Sequence, residues 1–272
     1  SLFSVLYQNR LGIDFSAIRN QLTGMKPSDI LPPQPRSHVH LRHTVGLGDP
    51  LTESDIQADE KLEDNLPHSL TSSIDRYGLR YFKIKLSGSL HADLPRMRLL
   101  SKLLHERVGH SMRFTLDGNE QYTTMATFQD HWHELYGDAS IRRMVDKSLL
   151  FIEQPVHRDS ALLPEVKETL SDWKNAPPII IDESDAEIGS LPTALKLGYA
   201  GTSHKNCKGI VKSIAALGTI KKEQTVDRKL ILSAEDLGNI GPVALLQDLA
   251  VVAALGIPHV ERNGHHYFAG LN

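Results

Sequence analysis

Apolar and polar positions alternate in one repeating pattern along most of the chain. A short apolar run ends in charge, and a stretch with helical rhythm follows. YFKIKL, MRFTLDGN, LLFIEQP and PPIIIDES close on Lys83 and Lys85, on Asp117 and Asn119, on Glu153, and on Asp182. Side chains alternate faces along a strand, so Lys83 and Lys85 point the same way, as do Asp117 and Asn119. Upstream, HVHLRHTVG alternates and reads as a first strand. Downstream, Tyr199 to Cys207 reads as a weaker strand, RKLILSAED as a seventh and IPHVERNGHHYF as an eighth. Between the runs, Leu94, Met97, Leu100, Leu104 and Val108 keep a helical rhythm. Further helices are predicted at Ile74 to Tyr77, 125–147, 160–173 and 186–197, over GIVKSIAALG up to Gly218, and from Pro242 to Leu255.

The polar strand ends at Lys83, Asp117, Glu153, Asp182, Lys205, Glu235 and Glu261 are spaced 34, 36, 29, 23, 30 and 26 residues apart. A strand–helix–strand unit takes about 30 residues. Eight strands alternating with helices predict an α/β chain folded as a (β/α)8 TIM-type barrel, its site at the C-terminal strand ends. The rival is an open doubly wound sheet, which usually carries a glycine-rich turn after its first strand. VGLGDP is a poor version of one. Residues 1–36 read as a helical scrap and a proline-rich linker, with too little apolar surface for a core of their own. The barrel is expected over 37–272.

Composition narrows the class. Of 272 residues, 40% are hydrophobic and 23% charged, as in ordinary globular proteins. A net charge of -3 argues against nucleic acid or an anionic membrane surface as partner. No apolar run reaches the ~18 residues of a membrane span, and SLFSVLYQNR does not read as a signal peptide. The single cysteine, Cys207, excludes an internal disulfide and favours a cytoplasmic setting.

Three carboxylates on consecutive strands, Asp117, Glu153 and Asp182, would repel one another in one pocket unless a cation neutralised them. Oxygen ligands suit a hard divalent ion. Such an ion polarises a substrate carboxylate and stabilises an enediolate. The proton alpha to that carboxylate then needs a base, and a lysine on each side of the barrel mouth, Lys85 and Lys205, suits a 1,1-proton transfer. The same pair serves a cycloisomerase or dehydratase with one lysine idle.

The series KIK, DGN, IEQP, DES, HKNCKG and SAED, from Val39 to Tyr267, resembles the enolase superfamily. The resemblance is stronger to its muconate-lactonising, dipeptide-epimerase and o-succinylbenzoate-synthase branch (the mandelate racemase/muconate lactonizing enzyme family). It implies Asp117, Glu153 and Asp182 as ligands of magnesium, or of manganese in its place. Lys85 and Lys205 become the acid/base pair, with Lys83 supporting Lys85. Asn119 and Glu235 fall near the substrate, a small carboxylate. A homo-oligomer is also implied.

The chain departs from that family in two places. The family places an α+β capping domain before its barrel, and here only residues 1–36 precede the first strand, so a barrel with the cap largely missing is expected. The glycine pair after the sixth-strand lysines is reduced to Gly209. Two readings of different class follow: a magnesium-dependent racemase, epimerase, cycloisomerase or dehydratase, or a truncated, non-catalytic barrel fragment that cannot close over substrate.

The remaining titratable residues carry bland expectations. His131 and His133 with Glu134 are expected at the surface, His265 and His266 in an exposed terminal segment, and His40 facing the barrel. Glu183 is expected to face away from the pocket, and Cys207 to be small and buried.

Overall fold

The computed structural model describes residues 1–236 and 241–268. Eight parallel strands, β1 His40–Val45, β2 Tyr81–Lys85, β3 Arg113–Asp117, β4 Leu149–Glu153, β5 Ile179–Ile181, β6 Gly201–His204, β7 Ile231–Ala234 and β8 His259–Arg262, pair in the order β7-β6-β5-β4-β3-β2-β1-β8. β7 meets β8 through one parallel bridge, Glu235 to Glu261, and the amide of Asp236 donates to the Glu261 carbonyl at 3.2 Å. The sheet thereby closes into the expected (β/α)8 barrel. β5 is three isoleucines, all buried, as a strand covered on both faces requires.

The helices are α1 Leu2–Tyr7, α2 Pro27–Ile30, α3 Leu70–Tyr77, α4 Leu90–Arg107, α5 Met125–Gly137, α6 Ala139–Ser148, α7 Arg158–Ala161, α8 Glu165–Asp172, α9 Ser190–Leu197, α10 Ile210–Glu223 and α11 Val243–Ala254. Two differ from the sequence reading for local reasons. The helix expected over 125–147 breaks at Asp138, whose Oδ1 accepts from the amides of Ser140 and Ile141 and starts α6. α10 runs through Gly218 rather than stopping there. A Cβ on Gly218 would stand 2.9 Å from Ile30 Cδ1 and 3.2 Å from Leu22 Cδ2, so the missing side chain is what lets the N-terminal segment approach.

That segment shares its core with the barrel's outer helices: Leu6, Phe15, Leu22, Ile30 and Leu31 are buried in one cluster with Ile214, Val251 and Leu255. No helix among the described residues is long and apolar enough to cross a membrane.

The barrel floor is polar. Arg42 of β1 is fully buried, with its guanidinium 5.3 Å from the Phe151 ring centroid. Its Nη1 donates to Ser233 Oγ at 3.1 Å and to His259 Nδ1 at 2.7 Å. His40 shares the parity of Arg42 but is exposed, stacked on Tyr81 with ring centroids 4.7 Å apart.

Candidate active site

Strand alternation delivers Lys83 and Lys85 to the same acid: their Nζ atoms lie 2.8 and 2.7 Å from Asp117 Oδ2. Asp117 ends β3 beside Lys85, in register with Glu153 of β4. Lys83 also stands 3.1 Å from Glu153 Oε2 and 2.5 Å from Glu261 Oε2. On the opposite flank Lys205 Nζ bridges Asp182 Oδ2 and Glu235 Oε2, each at 2.8 Å. The structure therefore brings Lys83, Lys85, Asp117, Glu153, Asp182, Lys205 and Glu235 into one linked group at the C-terminal strand ends.

Asn119 lies beyond the strand at φ +41°, its amide donating to Asp117 Oδ1 at 2.8 Å. Strand alternation is therefore not what positions it, and the contact shown is one that braces Asp117. Gly118, between the two, has no room for a side chain: a Cβ there would lie 2.5 Å from the Cα of Pro155.

The lysines differ in access. Lys85 and Lys205 keep 19% and 14% of their side-chain surface open, Lys83 only 2%. Of these three, Lys85 and Lys205 can meet a molecule at the barrel mouth, and Lys83 cannot.

Burial and charge pull the acids apart in pKa. Burial raises Asp117 and Asp182, but the adjacent lysines outweigh it. Asp117 ends below its ordinary value and Asp182 at about 2. Glu153 is fully buried, and its pKa is pushed up to about 8, chiefly by burial, with Asp182 and Asp117 adding repulsion against the pull of Lys83. Glu153 Oε2 has only the Lys83 ammonium, at 3.1 Å, and Oε1 has no partner. A buried carboxylate oxygen left so is costly, and a bound cation would supply its partner. The donor set passes the same test: oxygens of Glu153, Asp182 and Glu235 lie within 4.8 Å of one another. Asp117, drawn towards Lys83 and Lys85, is not in that set.

Several site residues were not singled out from sequence. Glu261 takes Lys83 and a hydrogen bond from Thr44 Oγ1 at 2.8 Å; as the polar end of β8 it had a visible signal. Lys208 Nζ reaches Asp182 Oδ1 and its carbonyl, both at 2.7 Å. Gln154, buried at φ +35°, accepts from the amides of Asp182 and Ser184 at 2.8 and 3.2 Å and so fixes the turn that presents Asp182.

Four expectations are corrected. Glu183 is half-buried, its pKa raised to about 7 mainly by burial and next by Asp182, with Asp117 and Lys205 also acting on it. It follows the end of β5, so alternation no longer turns it from the pocket. Cys207 is exposed. His131 is buried on α5, its Nε2 3.2 Å from Asp93 Oδ2, while His133 and Glu134 are exposed. His266 is buried and His265 half-buried, because the chain after β8 folds back onto β1.

No protein-family model matches the sequence, and no curated protein does. Solved structures do match the fold. A dipeptide epimerase from Enterococcus faecalis aligns at TM-score 0.56 and 19% identity, over 86% of this chain and 58% of that one. A mandelate racemase/muconate lactonizing enzyme from Roseiflexus aligns at 0.58 and 18%, over 89% and 59%. An enolase from Bradyrhizobium, complexed with magnesium and mandelic acid, aligns at 0.53 and 18%, over 84% and 52%. The chain spans a little over half the length of these proteins. The chain shares the barrel fold of these solved structures.

Proposed function

We propose that this barrel abstracts the proton alpha to the carboxylate of a small substrate with the help of a divalent cation, in the manner of a racemase, epimerase or cycloisomerase. The observation that carries the reading is the pair of partly open lysines, Lys85 and Lys205, on opposite flanks of three buried acids. Similarity of fold to racemases, an epimerase and cycloisomerases supports it.

Asp117, Glu153 and Asp182 are the proposed ligands of magnesium, or of manganese, with Glu235 as a rival to Asp117. Bound there, the ion would supply positive charge to the substrate carboxylate and to the extra charge of its enediolate. Lys83 and Lys85 now neutralise Asp117, and Lys205 and Lys208 neutralise Asp182. Lys85 or Lys205 would serve as the base once its acid partners were shared with the ion; the present pairing opposes that role, since Asp182 and Glu235 outweigh burial and hold the Lys205 pKa above its ordinary value. The opposite lysine returns a proton to the other face in a racemase and only supplies charge in a cycloisomerase. Lys83, fully buried, acts through Asp117 and Glu261 rather than on substrate.

The test is solvent deuterium exchange at the alpha carbon of a panel of carboxylates with magnesium. Exchange is expected in the parent, with Lys85→Ala and Lys205→Ala each abolishing chemistry while the circular dichroism stays unchanged. Full exchange in both variants would exclude the assignment. No exchange anywhere on the panel favours the second reading, a barrel that keeps the residues but does not close over substrate.

A further inference from the structure

The outer face of β1 carries a second cluster, built without the carboxylates. Arg42 and Thr44 point into the barrel, so His43 points out, where it is buried. Beyond β8 the chain reverses at Gly264, φ +71°, and lays His265 and His266 over it. His43 Nδ1 lies 2.8 Å from His265 Nε2. Ring centroids stand 5.0 Å apart for His43 and His265, 4.7 Å for His43 and His266, and 5.2 Å for His265 and His266. His266 is 9% exposed, and its Nδ1 has no hydrogen-bond partner. A cavity of about 70 Å³ adjoins the cluster, lined in part by His43, Asp49, His68, Ser73 and His266.

Three imidazoles packed together with a buried, unpartnered ring nitrogen call for a shared acceptor of lone pairs. One nitrogen from each of the three lies within 4.8 Å of the others. Imidazole suits zinc-like ions, whereas magnesium and calcium want oxygen. We propose that His43, His265 and His266 bind a divalent cation of the zinc class at a site separate from the carboxylates, the fourth position opening to the adjoining cavity.

Nitrogens on a tetrahedral ion at about 2.0–2.1 Å stand about 3.3 Å from each other. The His43–His265 pair has therefore to open by roughly half an ångström, with His43 on a strand and His265 on a turn. Burial, with repulsion from neighbouring imidazoles or Arg262, pushes His43 and His265 down in pKa, and His266 is lowered by burial too. The bound ion would fasten the segment after β8 to β1, next to Thr44 and the Glu261 it supports.

The probe is Co²⁺, titrated into the full chain with excess magnesium present. One equivalent is expected to give the visible ligand-field absorption of a four-coordinate nitrogen site, discharged by Zn²⁺. His265→Ala and His266→Ala, both on the turn and outside the strands, should each weaken binding by more than about 100-fold, beyond the effect of losing an outer-shell residue. Asp117→Asn should leave the spectrum unchanged. No such absorption, absorption that survives in both histidine variants, or absorption lost in Asp117→Asn would overturn the proposal. The last outcome would assign the ion to the carboxylates.

Discussion

Glu153 and His259 show what burial does to single groups in this barrel. Glu153 is driven towards its neutral form beside two like charges, which is why the site reads as built for a cation. His259 is the opposite case on the floor. Arg42 can only donate, so Nδ1 of His259 must stay unprotonated, and its pKa falls to about 3, first from burial and then from Arg42. The sign of the pH effect follows. Between pH 6.5 and 3 the unfolded chain takes up a proton that the folded chain refuses, so stability falls as pH falls through that window. The loss is about 1.4 kcal/mol per pH unit once the unfolded histidine is charged. His259→Gln keeps an acceptor for Arg42 and removes the titration, so denaturant melts at pH 6 and pH 4 should show a shallower loss than in the parent. Equal losses would place the acid sensitivity elsewhere. From sequence, alternation located Lys83, Lys85 and Asp117, which lie inside strands. It failed at Asn119 and Glu183 because both follow the last strand residue, where a turn aims the side chain.

At the scale of elements, β2 to β5 and β7 were legible as apolar runs ending in charge, while β1 read by alternation and β6 only weakly. The helices were less so, because periodicity does not show where a cap interrupts it. Asp138 is such a cap inside a continuous helical rhythm. Gly218 reads as a stop in isolation, yet it makes room for Leu22 and Ile30. The N-terminal segment was unreadable for the same reason: its apolar residues are too few for a core and gain their burial from α10 and α11. Phe15, fully buried there, should cost about 3–5 kcal/mol on replacement by alanine. Urea unfolding measures this, and a loss under 1 kcal/mol would mean the segment adds little to the barrel's stability.

For the whole molecule, closure is what creates the site. Glu235 and Glu261 sit at the β7–β8 bridge that completes the ring; Glu235 pairs with Lys205 at the end of the neighbouring β6, and Glu261 with the buried Lys83 of β2. Lys83, Lys85, Lys205 and Lys208 are the counter-charges of Asp117 and Asp182. The central claim is that the acids take up a divalent ion, and thermal unfolding tests it directly. The midpoint is measured with magnesium and with chelator for the parent, Asp117→Asn and Glu235→Gln. A native-state ligand at a hundred times its Kd adds about 2.7 kcal/mol, a rise of several degrees. The account predicts that rise in the parent and in Glu235→Gln and its loss in Asp117→Asn. No rise in the parent at millimolar magnesium, or the same rise in both Asp117→Asn and Glu235→Gln, would contradict it.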